Sequence, residues 1–321
     1  MENENKETGF KKWWRLLKDT VVGFIDDKGL KLSASLSYYT IFSLAPLLIM
    51  IISLVGFFLG KEAIQGQLFS ELRGLLGNKA ALQVQEMIKN IELSGQTKTA
   101  AVIGGITLLI GATSVFAEIQ DSINSIWRVK AKPKRGWLKF LKDRLLSGSL
   151  IVGLGFLFLV SFLINGLLNA LNDFLRGYFP DVTVILFNVL NLILSFTVIS
   201  FLFGIIFKLL PDVKMTWKDV RIGAFSTAVL FMVGQYFIGM YIKNVGTASA
   251  YGAAGSIIVI LLWVYYSAAI VYFGAEFTRV YAEFHGKKIQ PAEYAVYVEQ
   301  TEKEMEKNEI PLERKEPVTI D

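Results

Sequence analysis

Acid–base, nucleophilic and metal chemistry each need particular side chains brought to one place, and this sequence offers few of them. It has no cysteine and one histidine, His285, so neither a thiolate nucleophile nor a disulfide framework exists. Carboxylates beside the apolar blocks are scattered: Glu118, Asp121, Asp143, Asp212, Asp219, Glu276 and Glu283. A metal-dependent nuclease needs carboxylates or imidazoles converging on one or two cations, and no HxxxH, HxH or DxD spacing is present. A Ser-His-Asp triad would have to use His285 as its base, without any GxSxG turn. No Walker A loop is written either. The expectation is a chain that is not an enzyme, holds no metal or cofactor and hydrolyses no ATP.

The remaining chemistry is that of polar groups inside apolar helices. Glu276 lies one turn before Arg279, with Tyr38, Tyr39, Glu118 and Arg144 at the ends of other apolar runs. Two readings stand open: ion pairs that fix helix packing, or a gate with a carboxylate desolvated enough to take up a proton. Ser161, Asn165, Asn169 and Asn172 recur at spacings of four, four and three, and Asn188, Asn191 and Ser195 form a similar row. Such rows share one helix face. They predict either a polar vestibule or hydrogen bonds that join two helices. Pro46 removes a backbone hydrogen bond in mid-helix and predicts a kink. The candidate substrate path or gate is therefore Tyr38, Tyr39, Pro46, Glu118, Arg144, Asn165, Asn169, Asn188, Asn191 and Glu276.

These groups must be held by membrane helices. The 321 residues are 53% hydrophobic and 19% charged, where soluble domains carry about 25% charged residues. The apolar residues fall in six blocks of about the 20 residues that a bilayer-crossing helix needs. Helices satisfy their own backbone groups in lipid, so the expected fold class is an all-α integral membrane protein. Its six spans are expected at about 36–60, 99–117, 145–172, 182–207, 222–242 and 254–276. The first block lacks a signal-peptide cleavage site and reads as a retained span.

Of the 33 lysines and arginines, 26 fall on the side of residues 1–35, the loops after the second and fourth spans, and the C-terminal segment. The positive-inside rule then puts both termini in the cytoplasm. Residues 1–30 form a cytoplasmic segment, with an interfacial helix expected over 10–25. Residues 31–285 form the membrane domain, with an external loop at 61–98 folded as two short amphipathic helices that break at Gly77. The charged tail 286–321 is expected to be largely disordered. The small-residue stretch 246–256 predicts close helix packing or a re-entrant element. The basic cluster Arg128, Lys130, Lys132, Lys134 and Arg135 faces anionic phospholipid headgroups on this reading. Nucleic acid is not an expected partner.

Four motifs in order then carry a resemblance over roughly residues 30–285: LSYYTIFSLAPLLIM from Leu36, ATSVFAEIQDSINSIWRV from Ala112, LLPDVKMTWKDVRIGA at 209–224, and YGAAGSIIVILLWVYYSAAIVYFGAEF from Tyr251. The sequence resembles the YihY/BrkB family of bacterial inner-membrane proteins. The resemblance implies a six-helix membrane protein. Members carry labels as a tRNA-processing ribonuclease, as virulence or serum-resistance factors, or as movers of lipid or other envelope material. The residues fit the ribonuclease label poorly. The leading expectation is handling or translocation of an amphipathic, lipid-like envelope substrate without ATP. The alternative is a non-transporting scaffold that recruits other envelope proteins. A path predicts a cavity lined by Tyr38, Asn165, Asn191 or Glu276, and a scaffold predicts those residues paired and sealed.

Overall fold

A computed structural model describes residues 9–93, 98–132, 136–176, 180–245, 255–286 and 289–299. In chain order its helices are α1 (Gly9–Asp26), α2 (Gly29–Leu59), α3 (Lys61–Leu76), α4 (Asn78–Leu93), α5 (Lys98–Ile126), α6 (Gly136–Arg176), α7 (Pro180–Leu209), α8 (Trp217–Val245) and α9 (Gly255–Phe284). Four short strands accompany them: β1 (Val129–Ala131), β2 (Val213–Lys214), β3 (Gln290–Pro291) and β4 (Ala295–Tyr297).

Among the described residues, five helical stretches are long and apolar enough to cross a bilayer: Gly29–Leu59, Gly136–Leu168, Ile185–Leu209, Trp217–Tyr241 and Gly255–Phe284. They overlap the expected spans at 36–60, 145–172, 182–207, 222–242 and 254–276 without sharing their bounds. The expected span at 99–117 falls on α5, a helix of 29 residues; the side chains of its first turns lie outside the described set.

α2 and α9 form the centre. α2 packs on α5, α6 and α9, and α9 also packs on α8 and α1, while α6 and α7 stand at the periphery. Pro46 is buried within α2, where its ring meets the backbone of α5 at Gly111. α8 and α9 cross through a reciprocal contact. A Cβ on Gly223 would stand 1.8 Å from Thr278 Oγ1, and one on Gly274 would stand 1.9 Å from Thr227 Oγ1. Each threonine hydroxyl donates to the carbonyl one turn back on its own helix, at 2.6 and 2.7 Å. Small residues thus let two apolar helices approach closely without an unsatisfied hydroxyl.

One end of the bundle holds α3 and α4, which meet at Gly77 (φ 82°) and pack on α2. Gln83 of α4 accepts a hydrogen bond from Ser256 at the start of α9. The opposite end, rich in lysine and arginine, holds α1 and both pairs of strands. β1 pairs antiparallel with β4 (Val129↔Tyr297) and β2 with β3 (Val213↔Pro291).

The tail expected to be largely disordered from 286 is corrected over 289–299, where a strap of two strands bridges the turns that follow α5 and α7. Backbone hydrogen bonds fasten it, from Lys132 N–H to Tyr294 O (2.7 Å), Val298 N–H to Arg128 O (2.7 Å) and Ala292 N–H to Asp212 O (2.9 Å). Residues 300–321 lie outside the described set, as do 246–254 of the small-residue stretch.

Candidate functional site

The basic end holds two charged centres. The first forms where α1 meets α9. Glu276 is fully buried, and α1 lies so close that a Cβ on Gly23 would stand 1.9 Å from its Oε1. Arg279, one turn on, donates to both carboxylate oxygens, from Nη2 to Oε1 at 2.5 Å and from Nε to Oε2 at 3.2 Å. Its guanidinium also lies 3.3 Å from Glu283 and 3.7 Å from Asp27. A fork of donors matched to a carboxylate is the strongest common ion-pair geometry.

Asp27 sits in the turn between α1 and α2 with its side chain 4% exposed. Burial raises its pKa above the usual aspartate value; Arg279 and Arg128 oppose that shift without cancelling it, and Asp26 adds to it. Removing a charge from water costs more here than two guanidinium neighbours return. The two non-glycine residues at positive φ among the described residues, Lys28 (56°) and Arg128 (55°), both belong to this end.

The second centre is Asp212, 3% exposed in the turn after α7. Four donors converge on its carboxylate: Gln120 (3.2 Å), Asn124 (2.9 Å), Lys139 (2.7 Å) and the Tyr294 hydroxyl (3.0 Å). Its own N–H donates to Asn124 Oδ1 at 2.8 Å. Lys139 also pairs with Asp143 at 2.7 Å, and Lys139 and Lys142 lie 4.8 and 5.0 Å from the Tyr294 ring centroid. α5, α6, the α7–α8 turn and the strap are thereby tied to one carboxylate.

Beside it opens a cavity of about 440 Å³ bounded by Asp121, Arg128, Lys130, Asp143 and Asp212. Asp121 keeps its rim in solvent. Partial burial, then the carboxylates of Glu118, Asp212 and Asp143, raise its pKa despite Lys139. A second cavity of about 400 Å³ lies at the opposite end, between the end of α2 and the α3–α4 pair. Its wall is apolar at Ile52, Leu68, Phe69 and Val84, with Gln65 and Lys89 also on it.

Among the described side chains, those expected on a substrate path do not converge on one cavity. Tyr38 and Tyr39 are exposed on the outer face of α2, edge-to-face with each other at 5.9 Å, with Tyr38 also against Phe42. Pro46 is core. Glu118 is half-buried, at the end of α5 beside Asp121. Arg144 donates to Thr113 Oγ1 at 2.5 Å and joins α6 to α5. Asn188 and Asn191 are exposed on α7, and the side chains of Asn165 and Asn169 lie outside the described set. Glu276 is paired and enclosed. Neither of these two cavities is lined by Tyr38, Asn191 or Glu276.

The basic cluster also divides. Arg128 turns inward to the cavity wall, and Lys130 and Lys132 are exposed. Lys134 and Arg135 lie outside the described residues. Among the described residues, no group of three or more histidine or acidic side chains is placed to hold a metal ion.

Sequence reasoning passed over Asp27 and the Asp212 centre. Asn124 and Asp212 did stand inside two of the motifs that carry the family resemblance, and that was the available signal. Lys139 and Tyr294, from unrelated stretches of charge, gave none.

Comparison with known proteins agrees with the membrane architecture. A family model described as Virulence factor BrkB matches residues 20–295. A UPF0761 membrane protein of Psychrobacter sp. (strain PRwf-1) is 27% identical over 283 residues, covering 87% of this chain and 50% of that protein. One from Pseudomonas paraeruginosa is 30% identical over 260 residues, 78% of this chain and 59% of the relative. One from Vibrio parahaemolyticus is 28% identical over 261 residues, 77% and 76% respectively. The chain thus spans between half and three fifths of the length of the first two relatives. No solved structure matches it.

Proposed function

The chain belongs to the BrkB family of membrane proteins, and from that premise we propose that it handles or translocates an amphipathic, lipid-like envelope substrate without ATP. On this reading it is a six-span protein of the bacterial inner membrane with α5 as the second span. Both termini are cytoplasmic, α1 rests in the inner interface, and α3 and α4 cap the outer face. No catalytic step is assigned to it. Its basic face attracts anionic headgroups.

The observation that carries the reading is the cavity of about 400 Å³ between α2, α3 and α4. Ligand sites are concave and mostly apolar, with a few polar groups that fix orientation. Here Leu68, Leu72 and Val84 offer an apolar wall, with Gln65, Gln85 and Lys89 also bordering the cavity. A molecule with an acyl chain and a polar head fits that division.

The test is lipid movement in proteoliposomes, read by leaflet-specific quenching of labelled lipids. Wild type is expected to expose the protected leaflet. Leu72→Trp, which fills the cavity, is expected to slow that exposure several-fold. Glu276→Gln tests whether the enclosed carboxylate belongs to the route. Movement no faster than in protein-free vesicles overturns translocation of those lipids.

One observation favours the scaffold reading: Glu276 is paired with Arg279, and Arg144 donates to Thr113. Under that reading the same assay stays silent, and the exposed surface of α3 and α4, including Leu82, serves as a contact for other envelope proteins.

A further inference from the structure

Among the described bilayer-length stretches, that of α7 is the least enclosed: 11% of its most apolar window is buried, against 19% in α6, 33% in α8 and α9 and 44% in α2. Phe187 anchors it to the bundle, while Leu186, Leu190, Leu192 and Ile193 stand exposed. Leucine and isoleucine are content against lipid. Asn188, Asn191 and Ser195 are not, and all three are exposed without a hydrogen bond among the described residues.

Their spacing of three and four places them within about 60° of arc on one helix face. Counted from Ile185, where the apolar stretch of α7 begins, at about 1.5 Å per residue, Asn191 lies about 9 Å and Ser195 about 15 Å deep, both inside a hydrocarbon layer of about 30 Å. Polar side chains at that depth face protein or trapped water rather than acyl chains.

We propose that this face of α7 is a self-association surface, on which a second copy of the chain packs with Asn188, Asn191 and Ser195 hydrogen-bonding across a two-fold axis. Depth decides first: a soluble partner cannot reach the middle of the bilayer, and an acyl chain offers no donor or acceptor. Symmetry decides second. The distribution of lysine and arginine orients every copy the same way, so a two-fold axis must run along the membrane normal. Two α7 helices then lie parallel, with residue 191 opposite residue 191 at the same depth. An asparagine amide carries both donor and acceptor, so the row is complementary to itself, as a two-fold interface requires. Nothing in this inference depends on whether the protein moves lipid.

The sequence has no cysteine, so single-cysteine variants of the full chain give an unambiguous readout. Oxidant is added to membranes containing Asn188→Cys, Asn191→Cys or Ser195→Cys, with Leu186→Cys on the far side of α7 as the control. A disulfide-linked dimer is expected at one or more of the three and at least fivefold less at Leu186→Cys. In dilute bilayers, single-molecule photobleaching of the labelled wild type is expected in two steps. The double variant Asn188→Leu/Asn191→Leu is expected to dimerise about tenfold more weakly, given the modest strength of hydrogen bonds between membrane helices. One-step bleaching of wild type overturns the proposal. Cross-linking strongest at Leu186→Cys, or to a different protein, overturns it as well.

Discussion

At the residue scale, the basic end is built from charges that cannot be exchanged freely. Arg279 is shared by Glu276, Glu283 and Asp27, so one cation faces three carboxylates, with Arg128 and Asp26 also acting on Asp27. Because the folded protein raises the pKa of Asp27, folding favours its protonated form. The stabilisation is complete below its usual value of 3.8 and is lost as pH rises through the higher folded value. Asp27→Asn keeps the shape and removes the titration. It is expected to flatten the decline of thermal stability between acidic and neutral pH, and to match or exceed wild type at pH 7. Melting curves of both proteins in one detergent across that range check this. A steeper decline in Asp27→Asn would show that the ionised form is the one the fold prefers. The Glu276–Arg279 pair was readable from a spacing of three on one helix. Asp27 was not, because only the packing of α1 against α9, through the missing side chain of Gly23, brings it to the same guanidinium.

At the element scale, long helices could be read from composition, and short strands could not. Apolar blocks of about 20 residues have one stable form in lipid, and the break at Gly77 marks a boundary that needs no tertiary knowledge. The strands are two or three residues each; no pattern of alternation can be seen in so few positions, and β3 includes Pro291. They exist because two turns of the bundle present edges to the strap, and because Tyr294 reaches the buried Asp212. That makes the strap testable through one side chain. Tyr294→Phe removes a hydrogen bond to a carboxylate but keeps the ring over Lys139 and Lys142, and is expected to cost about 2 kcal/mol. Tyr294→Ala loses the ring as well and is expected to cost about 3 kcal/mol. Thermal unfolding ranks the two variants. If Tyr294→Ala melts like wild type, the strap rests on its backbone hydrogen bonds alone.

At the scale of the whole molecule, the two ends differ in what they expose. The Asp212 and Glu276 centres, the strap and most of the described lysines and arginines gather at one end; α3, α4 and the amphipathic cavity gather at the other. A bilayer reads that difference as orientation, since positive loops are retained on the cytoplasmic side. Lys79 in α4 and Lys132 after β1 are both exposed and lie at opposite ends of the bundle, so on the proposed topology they report on opposite faces of the membrane. In the cysteine-free background, Lys79→Cys is expected to react with a membrane-impermeant maleimide in spheroplasts, whose inner membrane is accessible from outside. Lys132→Cys is expected to react only after permeabilisation. The span count is tested by the same pair. α5 connects the α4 end to the β1 end, so the opposite sidedness of Lys79 and Lys132 requires α5 to cross. Labelling of both residues from one side would leave α5 uncrossed and reverse every later helix. The enclosed charges of the basic end and the cavity of the other would then face the wrong compartments for any handling of envelope lipid.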